Sequence, residues 1–174
     1  FLILVAVGLF PWSAMYHANQ GCLAQAQADL SPSLDDGQRT FLRRQAVERY
    51  RRAIQIDPGN RTAQQRLGLM LIGEARFDEG VGHLEVAWQA DPGNTTTQKA
   101  LGLAYVWVGE LGEAQTLLSD VPGIVDELNV WGWWRGTQQQ PEQSLNAYRL
   151  SLLLEPNQPE VREQVEQLEA QLNQ

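Results

Sequence analysis

DPGNRTAQQRLGL, residues 57–69, returns 34 positions later as DPGNTTTQKALGL, residues 91–103. Both copies keep Asp-Pro-Gly-Asn (Asp57 to Asn60, Asp91 to Asn94) and Leu-Gly-Leu (Leu67 to Leu69, Leu101 to Leu103) in the same register. Pro122-Gly123 and Pro156-Asn157 are again 34 apart. A period of that size marks stacked supersecondary units. Proline cannot donate within a helix, so Pro58, Pro92 and Pro156 close each unit, and Gly59 and Gly93 allow the turn. Gly68 and Gly102 let two antiparallel helices approach, while leucines and aromatics at helical spacing fill the seam. No such hairpin buries its apolar face alone, which predicts stacking.

These residues resemble the tetratricopeptide-repeat (TPR) family, whose pattern runs W-x2-L-G-x2-Y, then A-x3-F, then P. One unit supplies Leu67, Gly68, Leu71, Gly80, Leu84 and Pro92; the next, Leu101, Gly102, Tyr105, Ala114 and Leu118. A third has Trp131, Gly132, Ser144, Tyr148 and Pro156, and the second half of an earlier unit shows Ala46, Tyr50, Ala53 and Pro58. The resemblance covers about Arg39 to Pro156 and implies an all-α solenoid of stacked hairpins. Two departures stand out. Leu67 to Pro92 is 25 positions but Leu101 to Pro122 only 21, which predicts a second helix shorter by about one turn. Arg135 occupies the place of Leu71 and Tyr105, and is expected to weaken the last hairpin or to face solvent.

The flanks read differently. FLILVAVGLF opens the chain, and no charged residue appears before Asp29. Residues 1–16 are expected to be the C-terminal part of a single-pass transmembrane anchor, with Pro11 and Trp12 at its interface. The Phe start implies residues upstream. A buried helix and a signal peptide are the competing readings. No Lys or Arg follows until Arg39, so the repeat domain is expected to be extracytoplasmic. Residues 17–37 form an exit helix and linker: Ser13 to Leu30 should pack on Gln38 to Ile56, with Ser31-Pro32-Ser33 and Asp35-Asp36-Gly37 breaking the helix. The repeats then span 38–158. In 159–174, Val161, Val165, Leu168 and Leu172 make the stripe of a capping helix.

The net charge of −8 argues against nucleic acid as a partner. The charge is uneven: Phe1 to Gly73 holds 5 acidic and 8 basic residues, Glu74 to Gln174 16 and 5. A single cysteine, Cys22, excludes an internal disulfide and a thiolate metal site. No nucleotide-binding, zinc-protease or paired-cysteine motif is present, so neither catalysis, cofactor nor metal is expected. The pairs Asp35-Asp36 and Asp126-Glu127 read as solvated caps, and His83 as a surface histidine. Asn60-Arg61-Thr62 and Asn94-Thr95-Thr96 match glycosylation sequons, but turn chemistry accounts for both.

Two sets of residues are candidates for contact. Six arginines crowd one helix, Arg39, Arg43, Arg44, Arg49, Arg51 and Arg52. They read as a solvated face or as a basic surface for anionic headgroups or an acidic partner, with Arg39, Arg43, Arg44, Arg51 and Arg52 closest to the expected membrane. In the TPR family the first helix of each hairpin lines the partner groove. By register that implies Gln65, Leu69 and Gly73; Lys99, Leu103 and Trp107; and Asn129, Trp133 and Thr137. Leu69, Leu103 and Trp133 replace the polar groups with which one TPR subgroup grips a chaperone's C-terminal carboxylate, so that role is not expected. In Trp131-Gly132-Trp133-Trp134, Trp131 should be core and Trp133 contact. The expected function is a membrane-anchored scaffold for protein partners in a membrane complex, with the bilayer contacted through the N-terminal helix. The alternative is the C-terminal TPR region of a larger polytopic enzyme, such as an O-antigen-ligase-like glycosyltransferase. A TPR adaptor whose apolar start is core is the third reading.

Overall fold

The computed structural model describes residues 2–173, with side chains described from Trp12 onward. Nine helices lie among the described residues. They are α1 (Leu2–Leu30), α2 (Asp36–Ile56), α3 (Arg61–Gly73), α4 (Phe77–Ala90), α5 (Thr95–Val108), α6 (Leu111–Leu118), α7 (Ile124–Thr137), α8 (Pro141–Leu154) and α9 (Pro159–Leu172). They divide into two compact units, Phe1–Pro92 and Gly93–Gln174.

The first unit holds two antiparallel hairpins, α1–α2 and α3–α4. Each is pinched where a glycine on one helix meets a large side chain on the other. A Cβ placed on Gly21 would stand 2.6 Å from the Tyr50 ring, and one on Gly68 2.8 Å from Leu84 Cγ and 3.0 Å from the Gly80 carbonyl oxygen. Ala18, Ala24, Ala46, Tyr50, Ala53, Ala63, Leu67 and Leu71 form one buried cluster around this pinch. The Tyr50 hydroxyl donates to Gln25 Oε1 at 2.8 Å, and burial pushes its ionisation well above the ordinary tyrosine range.

Gly68 and Leu84 are 16 positions apart, but Gly21 and Tyr50 are 29 apart. The extra length adds about one turn to α1, about two turns to α2 and a wider connection. Asp35 and Gln38 close the start of α2 with a reciprocal capping box.

The repeated turn is explained atom by atom. Asp57 Oδ1 accepts from the Gly59 amide at 3.1 Å, and Asn60 Oδ1 caps α3 by accepting from Ala63 N at 3.1 Å. Asn94 caps α5 in the same way, 2.9 Å from Thr97 N. Both sequon asparagines are N-caps, as turn chemistry requires.

The second unit holds α5–α6, α7–α8 and α9. Its pinches are Gly102 against Leu118, at 2.6 Å from an added Cβ, and Gly132 against Tyr148, at 2.7 Å. Both pairs keep the spacing of 16. Helix α6 has 8 residues where α4 has 14, so the expected shortening is real and falls after Leu118, beyond the pinch. Ser144 Oγ donates to the Gly132 carbonyl at 2.7 Å inside the α7–α8 seam. Helix α9 closes the unit: Val165, with Val161 and Leu168 beside it, packs on Leu145, Tyr148 and Leu152 of α8.

The expected anchor over 1–16 is not supported. Among the described residues no helix is long and apolar enough to cross a membrane. The single-pass membrane placement, the extracytoplasmic repeat domain and the bilayer contact through the N-terminal helix fall with it. Past Tyr16, α1 no longer reads as an apolar span. The rest of α1 carries His17, Asn19, Gln20, Gln25 and Gln27. From Ala14 on, small buried residues (Ala14, Ala18, Ala24, Ala28) run along α1, and Ala18 and Ala24 share the core cluster with α2. The side chains of 1–11, where most of the expected anchor falls, lie outside the described residues.

Candidate functional site

The arginines of α2 divide by their work. Arg39 reaches back to the end of α1, with Nη1 donating to the Ala28 carbonyl at 2.8 Å and Nη2 to the Ser31 carbonyl at 3.0 Å. That is a cap for carbonyls the helix cannot satisfy itself. Arg43 pairs with Asp29 at 3.0 Å. Arg49 Nη1 lies 3.4 Å from His17 Nδ1, and Arg52 donates to Gln55 Oε1 at 3.1 Å. Arg44 and Arg51 are exposed, and among the described residues neither makes an ion pair or a side-chain hydrogen bond. Among the described residues, no helix long enough and apolar enough to cross a membrane stands beside them. They stand on α2, which has 21 residues where α4 has 14.

That extra length makes a cleft. Thr40, Arg43, Arg44, Val47, Glu48 and Arg51 of α2 face Met70 and Leu71 at the end of α3, with Glu74 and Arg76 from the following turn. A second recess joins it at Arg43, Met70 and Glu74, and is lined also by Gln25, Asp29 and Gly73. Arg76 is held by Glu79 at 2.5 Å and by Glu74 at 3.7 Å. Of the other groove candidates in this unit, Leu69 is exposed and Gln65 half-buried.

His83 is not a surface residue. It is half-buried, with Nδ1 2.5 Å from Gln64 Oε1, while Gln64 Nε2 donates to the Pro58 carbonyl at 2.7 Å. An amide oxygen can only accept, so Nδ1 carries the proton. Burial lowers the pKa of His83 from its ordinary value; Glu79 opposes that shift, and Arg51 and Arg76 add to it. His17 is lowered as well, by burial and then by Arg49 and Arg52.

In the second unit, the candidates named by register differ in exposure and contacts. Trp107 is only 4% exposed, closed in rather than open to a partner. Lys99 bridges Glu127 at 2.5 Å, tying α5 to α7. Asn129 is half-buried and donates to Gln158 Oε1 at 2.7 Å. Leu103 is half-buried and Thr137 exposed, its hydroxyl donating to the Trp134 carbonyl at 2.6 Å. Trp133, by contrast, is 64% exposed, with Val130 (62%) and Trp134 (39%) on the same outward side of α7.

Beneath that ridge lies an arrangement the sequence pattern missed. Arg135 does not face solvent: it is 7% exposed. Its guanidinium carbon lies 4.6 Å from the ring centroid of Trp107, 5.1 Å from that of Trp134 and 5.8 Å from that of Trp131. Nη1 donates to Gln140 Oε1 at 2.6 Å. Trp131 stacks edge-on against both Trp107 and Trp134 and is half-buried, less enclosed than Leu67 and Leu101 in its register. A cation between aromatic faces is stabilised by about 0.5–2 kcal/mol per ring. The signal was the Trp-rich segment beside an arginine at an apolar position.

No known family model and no curated protein matches the chain. Its fold is similar to that of MamA. The solved structure of MamA AMB-1 has a TM-score of 0.50 and 20% identity over 92% of this chain and 82% of that one. MamA MSR-1 gives 0.51 and 18%, over 92% and 87%, and a further MamA protein 0.52 and 14%, over 90% and 80%. At these identities the likeness is one of fold: an all-helical chain of antiparallel hairpins. Among the described residues, no group of three His, Cys, Asp or Glu side chains could hold a metal ion.

Proposed function

We propose that the chain is a TPR-type scaffold that works by holding another protein and performs no catalysis of its own. The observation that carries this is the ridge on α7. Val130, Trp133 and Trp134 are exposed, yet the helix presenting them is fixed from beneath by the Arg135 cluster. Rigid aromatic side chains held ready for contact are the usual anchors of protein interfaces. The repeated pinch of glycine against Leu or Tyr and the fold likeness to MamA support the family reading. The register candidates Leu69 and Trp133 remain proposed contacts, with Gln65 and Leu103 at the edge of them. Lys99, Asn129 and Trp107 serve the fold first. No observation favours the alternative of a polytopic enzyme's C-terminal region.

The test is a photo-crosslinking residue at position 133, in cells that produce the protein, with Glu163 of α9 as a control position. A discrete crosslinked protein from 133 and not from 163 is the expected result. Equal labelling from both positions would remove the ridge as a docking surface.

A further inference from the structure

The cleft between α2 and the end of α3 has a basic rim and an apolar floor, a combination that selects a chemistry. We propose that it docks an acidic segment of a partner polypeptide, in which carboxylates flank an apolar side chain. This rests on the reading of the chain as a protein-binding scaffold and adds a second contact of defined character, in the first unit.

Four arginines line the cleft, Arg43, Arg44, Arg51 and Arg76, against two carboxylates, Glu48 and Glu74. Arg43 and Arg76 are already paired, with Asp29 and with Glu79 and Glu74. Arg44 and Arg51 are the two whose charge is unanswered among the described residues. They are seven positions apart on one helix, so about two turns and roughly 10 Å separate them along the axis. Val47 lies between them, and Met70 and Leu71 complete the apolar floor. A guanidinium binds carboxylate through two parallel hydrogen bonds. A ligand that satisfies both therefore offers two acidic groups at that separation, with a hydrocarbon side chain between them for Val47 and Met70.

The other anions fit less well. A nucleic acid would meet Glu48 and Glu74 within the cleft. A free phosphate would leave the floor uncovered. The two glutamates also direct register, since a ligand carboxylate beside either is repelled while one beside Arg44 or Arg51 is not.

A displayed library of random 12-residue peptides, selected on the purified full chain, provides the probe. The expected result is enrichment of sequences with two or more Asp or Glu around a Leu, Ile, Phe or Met. The best of them should bind at least tenfold more weakly to R44E/R51E and in raised salt, and with intermediate affinity to R44K/R51K, which keeps the charge but loses the paired hydrogen bonds. R66E, on α3 outside the cleft, should leave binding unchanged. Circular dichroism and melting of R44E/R51E should match the parent, because both side chains are exposed. Enrichment without acidic residues, or binding indifferent to R44E/R51E, would overturn the proposal. So would arginine-dependent sedimentation with phosphatidylglycerol vesicles when no acidic peptide binds, which would assign the cleft to a lipid surface. Failure here with the crosslink at position 133 intact would sink this site alone; loss of that crosslink would sink the scaffold reading at the ridge.

Discussion

Gly68 and Gly82 are both helical glycines, and their surroundings give them opposite values. A Cβ on Gly68 meets Leu84 Cγ at 2.8 Å and a backbone oxygen at 3.0 Å, whereas one on Gly82 meets nothing within 4 Å. Gly68→Ala should therefore destabilise by about 1–3 kcal/mol through overpacking. Gly82→Ala should stabilise by about 0.5–1 kcal/mol through helix propensity. Denaturant titration of the two variants checks the contrast; a similar effect from both would mean the pinch is not tight. Arg135 and Trp133 make a second such pair. Arg135→Ala should cost about 2–4 kcal/mol, since it empties a packed place among three rings, and should change the near-ultraviolet dichroism of tryptophan. Trp133→Ala should shift the melting temperature little, its ring being 64% exposed. Trp133 was legible from register because its helical phase alone turns it outward. Arg135 was not, because its partners converge from α5 and α7, and no local pattern records that meeting.

Among elements, the caps and pinches were the readable part. Asp-Pro-Gly-Asn announces a turn and an N-cap in four residues, and the structure uses it twice. Asn60→Ala should lose the bond to Ala63 N and cost about 1 kcal/mol. A thermal melt measures it, with Asn60→Asp, which keeps an acceptor, as the control that should lose much less. The least readable element was α1. An apolar opening followed by Trp suggests a bilayer, and the alternative depends on a partner helix that lies beyond a break. The pairing of Gly21 with Tyr50 across 29 residues is invisible to a scan for spacings of 16.

At the scale of the molecule, the two units differ in what acid does to them. Both histidines, His17 and His83, lie in Phe1–Pro92, and both have pKa values lowered from the ordinary value. The unfolded chain then binds protons more readily than the folded one. The stability these groups contribute is present above about pH 6.5 and is lost as pH falls through their lower folded values. A fragment of residues 1–92 should thus lose melting temperature between pH 7.5 and pH 5 by more than a fragment of 93–174, which contains no histidine. His83→Gln should reduce that difference. An equal fall in both fragments would place the acid sensitivity elsewhere. Charge asymmetry between the halves was plain in the sequence, but histidine burial was not, since it depends on how Gln64 is held by the turn before α3.

The short α6 carries a lesson about measuring this chain. Its missing residues lie after Leu118, past the contact with Gly102, so the clamp between the two helices is untouched while the ruler laid along the sequence jumps by four. The first hairpin stretches the same ruler by thirteen, again without moving Gly21 from Tyr50. Period in this protein is a by-product, and the constant interval is the one across each clamp in space. A template stepping every 34 residues keeps time through two hairpins and then drifts. A search anchored on small-against-large pairs, indifferent to the count between them, would keep all four.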